Sequence, residues 1–210
     1  MAFDFKKEYK ELYLPKTEPG IIMVPKMNFV AVRGKGNPND ESGEYSRAVK
    51  MLYALSYTLK MSPKSNYQIE GYFDYVVPPL EGFWWIPGLK GMDYNRKDLL
   101  HWIVIIRLPD FITPEDLAWA KETVQRKKKI DCTKAEFLTI EEGLCVQMMH
   151  FGAFDDEPKT IKKMHTYVEE QGYMLDFSDT RMHHEIYLSD IRKVAVENWK
   201  TVIRHPIRKP

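Results

Sequence analysis

The segment "MHHEIYLSD", near the C-terminus, places a carboxylate among apolar and ring-bearing side chains. Ile186 and Leu188 predict a β-strand, and successive side chains of a strand point to opposite faces. His183, Glu185 and Tyr187 therefore share one face, where an acid beside a phenol can serve as a general base beside a hydrogen-bond donor. The same pattern fits a strand with one solvated face, so the sequence leaves Glu185 either in a pocket or in water.

Aromatic residues elsewhere in the chain are candidates for the walls of such a pocket. Trp84 and Trp85 are adjacent in "FWWIPG", so in a strand they point to opposite faces and only one of them can line a cleft. Phe83 shares its face with Trp85, and we favour this pair as the ligand-binding one. Tyr53 and Tyr57 lie on one side of a predicted helix, where they either edge the cleft or pack. Such rings bind planar aromatic compounds, and a cationic compound is attracted further by the negative faces of the rings.

Other chemistries fit the sequence less well. Trp119 lies off the apolar stripe of its predicted helix, and it either packs on a neighbouring element or overhangs a cavity. His183 and His184 are adjacent and point in opposite directions, so they cannot share a metal ion. His150 and His165, each alone on a mostly apolar face, are interpreted as hydrogen-bonded core residues. With only two cysteines in the chain, we predict neither a metal site nor a cofactor.

The composition indicates a globular protein whose charges are balanced. Lys and Arg number 31 against 30 Asp and Glu among 210 residues, so no basic excess indicates a nucleic-acid partner. The basic run 126–129 is interpreted as the solvated end of a helix. The charged N-terminal segment "MAFDFKKEYKELYLPK" does not resemble a signal peptide, and no apolar run approaches the ~20 residues of a membrane span. We therefore predict a cytoplasmic location with reduced thiols.

The order of predicted elements indicates an internal repeat. Three helices follow from apolar periodicity, and the clearest, "TPEDLAWAKETVQRKKK", has Thr113 as N-cap and Pro114 at its first position. The series strand, glycine loop, acidic cap and helix recurs about 117 positions later. "YFDYVV", "FWW" and "HWIVIIR" follow the first helix as strands, and "HHEIYL" and "TVIRHPI" follow its counterpart.

We therefore predict an α+β fold built as a pseudo-two-fold duplication of a β-α-β-β unit. Helices would cover one face of an antiparallel sheet, facing Ile186, and the ligand cleft would lie on the other face. The predicted boundaries are an N-terminal extension (1–25) and one domain (26–210), the latter comprising repeat one (26–110), a connecting helix (113–129) and repeat two (135–207).

Three segments, "GLCVQMMHFGAFDD", the helix end "EEQGY" and "HHEIYLSDIRK", resemble the second repeat of the GyrI-like small-molecule-binding domain family. The resemblance covers residues 26–207 and is strongest after residue 140. It implies that Glu185 is the acidic ligand contact of the drug-binding pocket. "PPLEGFWW" resembles the stand-alone branch of the family, some of whose members hydrolyse cyclopropane-bearing DNA-alkylating antibiotics inside an aromatic cage. No helix-turn-helix precedes the domain, which argues against a DNA-binding regulator.

The resemblance implies a protein that binds bulky planar aromatic xenobiotics, including cationic ones. It also implies an enzyme in which Glu185 activates water to open a cyclopropane ring while Tyr187 donates to the developing oxyanion. The expected partners are hydrophobic aromatic small molecules. The alternatives are a non-catalytic drug-sequestering or gyrase-interacting module, and a Glu185 on a plain solvated face. The natural ligand and the oligomeric state stay open.

Overall fold

The computed structural model describes residues 2–89, 93 and 95–210. Seven strands within these residues form one antiparallel sheet. Its strands are β1 (Gly20–Lys35), β2 (Leu80–Trp85), β3 (His101–Arg107), β4 (Ala135–Phe151), β5 (Met174–Leu175), β6 (His183–Tyr187) and β7 (Lys200–Arg208). Their order is β4-β1-β3-β2-β6-β7-β5, and β4 pairs with β7 as well. The sheet therefore closes on itself like a barrel.

Strand β4 closes the sheet because it is long enough to serve two neighbours. It spans 17 residues, of which 135–147 pair with β1 and 145–151 pair with β7. Gly143, near the middle of the strand, has a φ of +66°, a conformation that glycine adopts without strain. The predicted α+β class is confirmed, whereas the two-repeat duplication and the domain boundaries stay predictions.

Five α-helices accompany the sheet in the described residues: α1 (Phe5–Glu8), α2 (Lys10–Tyr13), α3 (Glu44–Lys60), α4 (Pro114–Lys128) and α5 (Glu157–Glu170). The three long ones lie where apolar periodicity predicted them. Thr113 caps α4 through a reciprocal capping box with Asp116, and Pro114 occupies the first turn. The two N-terminal helices were not predicted, because four residues are too few for a periodic signal. All five are too short or too polar to cross a membrane.

Closure gives the sheet an interior, which is filled with apolar side chains. One buried cluster draws Phe29, Phe83, Ile103, Cys145, Ile186 and Val202 from six different strands, together with Phe5, Leu12 and Tyr13 of the N-terminal helices. Helix α3 packs outside against β1 and β3, and α4 packs against α3 and β4. Helix α5 packs outside against β4 and β5, and it shares a buried cluster with Ile203 and Ile207 of β7.

The predicted orientation of β6 is therefore wrong in one respect. Ile186 was expected to face the helices that cover one side of the sheet. It points instead into the interior of the closed sheet, which a local pattern of alternation cannot distinguish from a helix-covered face. Glu185 points to the outer side, so the cleft and α3 share one side of the sheet. The predicted strand "YFDYVV" is also absent, since only Tyr75 pairs, in an isolated bridge to Phe3.

The interior also holds an ionic network that attaches the N-terminal segment. His184 lies 3.0 Å from both Glu81 and Glu142, and the guanidinium of Arg204 donates to Glu142 at 2.8 Å and to the Leu12 carbonyl at 2.8 Å. Burial alone would raise the pKa of Glu142, but the positive charges of His184 and Arg204 lower it to about 2. Glu81, which belongs to this network, is 1% exposed.

Candidate functional site

An open cavity of about 1210 Å³ lies on the outer side of the sheet, beside α3. Its aromatic wall residues are Tyr45, Tyr53 and Tyr57 of α3, Trp84 of β2, Tyr187 of β6 and Phe154. The turn 188–193 and the proline pair Pro78-Pro79 complete much of the rim. A cavity of this size suits a drug-sized planar molecule.

Glu185 is the acidic residue buried in the wall of this cavity, with only 6% of its surface exposed. It lies opposite Gly82 in the pairing of β6 with β2. A Cβ atom at Gly82 would lie 2.7 Å from Trp84 Nε1 and 3.1 Å from Tyr187 Oη. Because Gly82 has no side chain, the Trp84 indole and the Tyr187 phenol can meet above this position, beside the Glu185 carboxylate.

Polar groups of the wall lie side by side. The indole Nε1–H of Trp84 donates to Tyr187 Oη at 2.9 Å. Glu185 and Tyr45 also act electrostatically on the Tyr187 phenol. Burial, and then the charge of Glu185, raises the pKa of Tyr187 well above 10 and raises that of Tyr45 as well. Both phenols therefore keep their protons at neutral pH and remain hydrogen-bond donors.

A series of histidines lies behind Glu185, away from the cavity. His183 Nε2 is 2.8 Å from Glu185 Oε1, and its Nδ1 is 2.7 Å from His205 Nε2. His205 Nδ1 is in turn 2.9 Å from His165 Nε2. Burial, followed by the neighbouring imidazoles, lowers the pKa of His205 well below 6.5, so this ring is neutral.

Glu157, His183 and Glu185 place one potential ligand atom each within 4.8 Å of one another. Two ligands about 2.0–2.1 Å from one tetrahedral ion would be separated by about 3.3 Å. His183 and Glu185 are instead at a hydrogen-bond distance of 2.8 Å. We assign no metal ion to this group.

Five of the predicted site residues line the cavity: Tyr53, Tyr57, Trp84, Glu185 and Tyr187. Tyr53 and Tyr57 stack at a centroid distance of 6.4 Å on the exposed side of α3. Because they line the wall and are partly exposed, the edge-of-cleft alternative describes them better than internal packing.

Four other predicted residues lie elsewhere. Phe83 is inside the closed sheet, stacked on His184 at 4.1 Å, and Trp85 is tilted against His101 at 5.6 Å. The preference for Phe83 and Trp85 is therefore wrong for this cavity, since closure of the sheet turns their face inward. Trp119 stacks on Tyr67 at 4.1 Å beside a separate cavity of about 380 Å³. His183 is buried behind Glu185 and not in the wall.

Sequence reasoning missed several residues of the site. Tyr45 of α3 packs on Trp84 and Trp102 at 5.3 and 5.4 Å and also lines the cavity. Phe154 lies in the turn after β4, just before Asp155 and Asp156, and is edge-on to Tyr187 at 5.7 Å. No local signal marks either residue as a wall residue, because each depends on the distant strand that it approaches.

Comparison with known proteins places the chain in a family. The model of the GyrI-like small molecule binding domain matches residues 17–208, so the chain belongs to that family. A crystal structure of a hydrolase from Listeria innocua is 46% identical over 99% of this chain and 100% of that chain, with a TM-score of 0.89. An uncharacterized conserved protein from Listeria innocua is 47% identical over the same shares, with a TM-score of 0.93.

More distant similarity concerns the fold alone. The EcmrR C-terminal domain is 14% identical over 92% of this chain and 98% of that chain, with a TM-score of 0.56. Among curated proteins, the comparison finds no match.

Proposed function

We propose that this protein binds planar aromatic xenobiotics, including cationic ones, in the cavity beside Glu185, and that it hydrolyses those that carry an activated cyclopropane. The observation that carries the proposal is a carboxylate only 6% exposed in the wall of a cavity of about 1210 Å³ with aromatic sides. A carboxylate held in the wall of a cavity can act as a general base on water that enters it.

Binding would rest on ring faces and on one charge. The indole of Trp84 and the phenols of Tyr45, Tyr53 and Tyr57 offer apolar area to a flat ligand. A positive charge on the ligand would be attracted both by these rings and by Glu185. Uncharged planar compounds would keep the apolar contact with the rings and lose the electrostatic attraction.

The hydrolysis suited to this geometry is the addition of water to a spirocyclopropyl cyclohexadienone. Glu185 accepts a proton from water as the water oxygen bonds to the cyclopropane methylene carbon. The ring C–C bond breaks, and its electron pair moves through the dienone to the carbonyl oxygen, which becomes a phenolate. Tyr187 donates its proton to that oxygen and regains one from Glu185, whose charge acts on the same phenol.

Two findings support this proposal. The family is named for small-molecule binding, and the relative from Listeria innocua at 46% identity is described as a hydrolase. Membership by itself does not separate turnover from sequestration. A cytoplasmic location and the lack of a nucleic-acid partner stay predictions.

The test is product analysis by mass spectrometry after incubation with a spirocyclopropyl cyclohexadienone. Wild type should form the water adduct, and Glu185→Gln should form it about 10²–10⁴-fold more slowly, the usual contribution of a general base. Glu41→Gln is the matched control, because it removes one negative charge at the exposed rim of the same cavity. Equal rates for wild type and Glu185→Gln would contradict the catalytic role.

Binding is tested separately with ethidium and with phenanthridine, its uncharged parent ring system. Glu185→Gln should weaken ethidium and leave phenanthridine unchanged, as read from quenching of tryptophan fluorescence. A wild type that binds both compounds and forms no water adduct would be a sequestering protein, which is the alternative function.

A further inference from the structure

The histidines behind Glu185 contact one another in a uniform orientation. In each contact the Nε2 atom points towards Glu185 and the Nδ1 atom points away from it, from His183 through His205 to His165. The series begins at the buried carboxylate and ends at a half-buried residue on α5. His205 and His165 come from β7 and α5, so three separate elements build it.

The surroundings of His205 are otherwise apolar. Val146 pairs directly with His205 across β4 and β7, and Ile203 precedes it by two positions on the same face. Met164 and Val168 of α5 cover that face and are buried, and the Phe177 ring lies edge-on to His205 at 4.9 Å. An aliphatic residue at position 205 would suit such packing better than an imidazole, whose burial costs free energy unless it is hydrogen-bonded.

The contacts restrict where the protons lie. An ionised Glu185 only accepts, so His183 Nε2 must carry a hydrogen and donate to it. If His183 is neutral, its Nδ1 accepts from Nε2–H of His205, whose Nδ1 accepts from Nε2–H of His165. If His183 is cationic, the two outer contacts reverse and the bond to Glu185 stays.

We propose that His205 and His165 are positioning residues, which hold His183 so that its Nε2–H donates to Oε1 of Glu185 and fixes the orientation in which the carboxylate accepts a proton from water. The inference rests on the proposed function and extends it to residues that do not touch the cavity. A partner on the far ring nitrogen is what generally fixes the orientation and tautomer of a histidine that serves a reacting group.

The test compares two replacements of His205. An amide can donate to His183 and accept from His165, so His205→Gln should hydrolyse the spirocyclopropyl substrate within about threefold of wild type. His205→Leu fills similar space without either hydrogen bond, so its kcat should fall roughly 10–100-fold with little change in KM. Equal losses in both variants would overturn the positioning role, because the amide preserves the hydrogen bonds.

His165→Leu and an NMR measurement that requires no turnover test the same positioning role. His165→Leu, at the half-buried end, should lower kcat in the same direction but less, because water can replace its ring. ¹⁵N NMR of the wild type at neutral pH should find Nε2 of His183 protonated and ¹⁵N–¹⁵N couplings across both histidine contacts. An unprotonated Nε2 on His183 would refute the inference. A wild type without hydrolysis would refute the proposed function alone, since the NMR result does not depend on turnover.

Discussion

A single methyl group at position 82 should disturb both the stability and the ligand site. Gly82 lies in β2 opposite Glu185, and an added Cβ would lie 2.7 Å from Trp84 Nε1 and 3.1 Å from Tyr187 Oη. Real Cβ atoms do not approach other atoms so closely, so the Trp84 indole must move in Gly82→Ala. Its hydrogen bond to Tyr187 at 2.9 Å would be lost as it moves.

The magnitude follows from two contributions. Overpacking in a well-packed region costs about 1–3 kcal/mol, and a lost hydrogen bond costs about 0.5–1.5 kcal/mol. We therefore expect Gly82→Ala to lower the free energy of unfolding by about 2–4 kcal/mol. Because Trp84 is a wall of the cavity, ethidium should also bind about tenfold more weakly.

Urea unfolding followed by circular dichroism measures the first effect, and quenching of tryptophan fluorescence by ethidium measures the second. Gly20→Ala is the matched control, because Gly20 also lies in a strand and nothing lies within 4 Å of its Cβ position. That variant should be neutral or stabilised by up to about 1 kcal/mol. If Gly82→Ala unfolds and binds ethidium like Gly20→Ala, the close approach described for Trp84 and Tyr187 is incorrect.

Three further predictions concern the wall, the interior and the N-terminus. Trp84→Phe should weaken ethidium binding roughly three- to tenfold through lost ring area, whereas Trp85→Phe should leave it unchanged in the same titration. Acid should destabilise the fold through Glu142. The pKa of this carboxyl is about 2 in the folded protein and is usually 4.5. Its contribution to the free energy of unfolding is therefore complete above pH 4.5 and is lost as the pH falls towards 2. The loss amounts to about 3 kcal/mol, measurable by urea unfolding at several pH values, and Arg204→Met should reduce this dependence, because only His184 then lowers the pKa of Glu142. Deleting residues 1–13 should prevent cooperative folding, because it removes Phe5, Leu12 and Tyr13 from the interior; a sharp thermal transition near that of the full chain would contradict this.

Local patterns in the sequence determined the elements themselves. The spacing of apolar residues predicts α3, α4 and α5, and Thr113 and Pro114 indicate where α4 begins. Alternation in "HHEIY" places His183, Glu185 and Tyr187 on one face without any knowledge of the fold. These inferences succeed because helix and strand periodicities depend only on neighbours along the chain.

Only the tertiary structure decided what each face meets. Trp84 lines the cavity and Phe83 does not, because β4 pairs with both β1 and β7 and so gives the sheet an interior. His183 and His205 meet although 22 positions separate them, and the helix that carries His165 approaches from a third direction. Alternation assigns side chains to two faces, but which face becomes interior depends on pairing between distant strands, and no local pattern encodes that pairing.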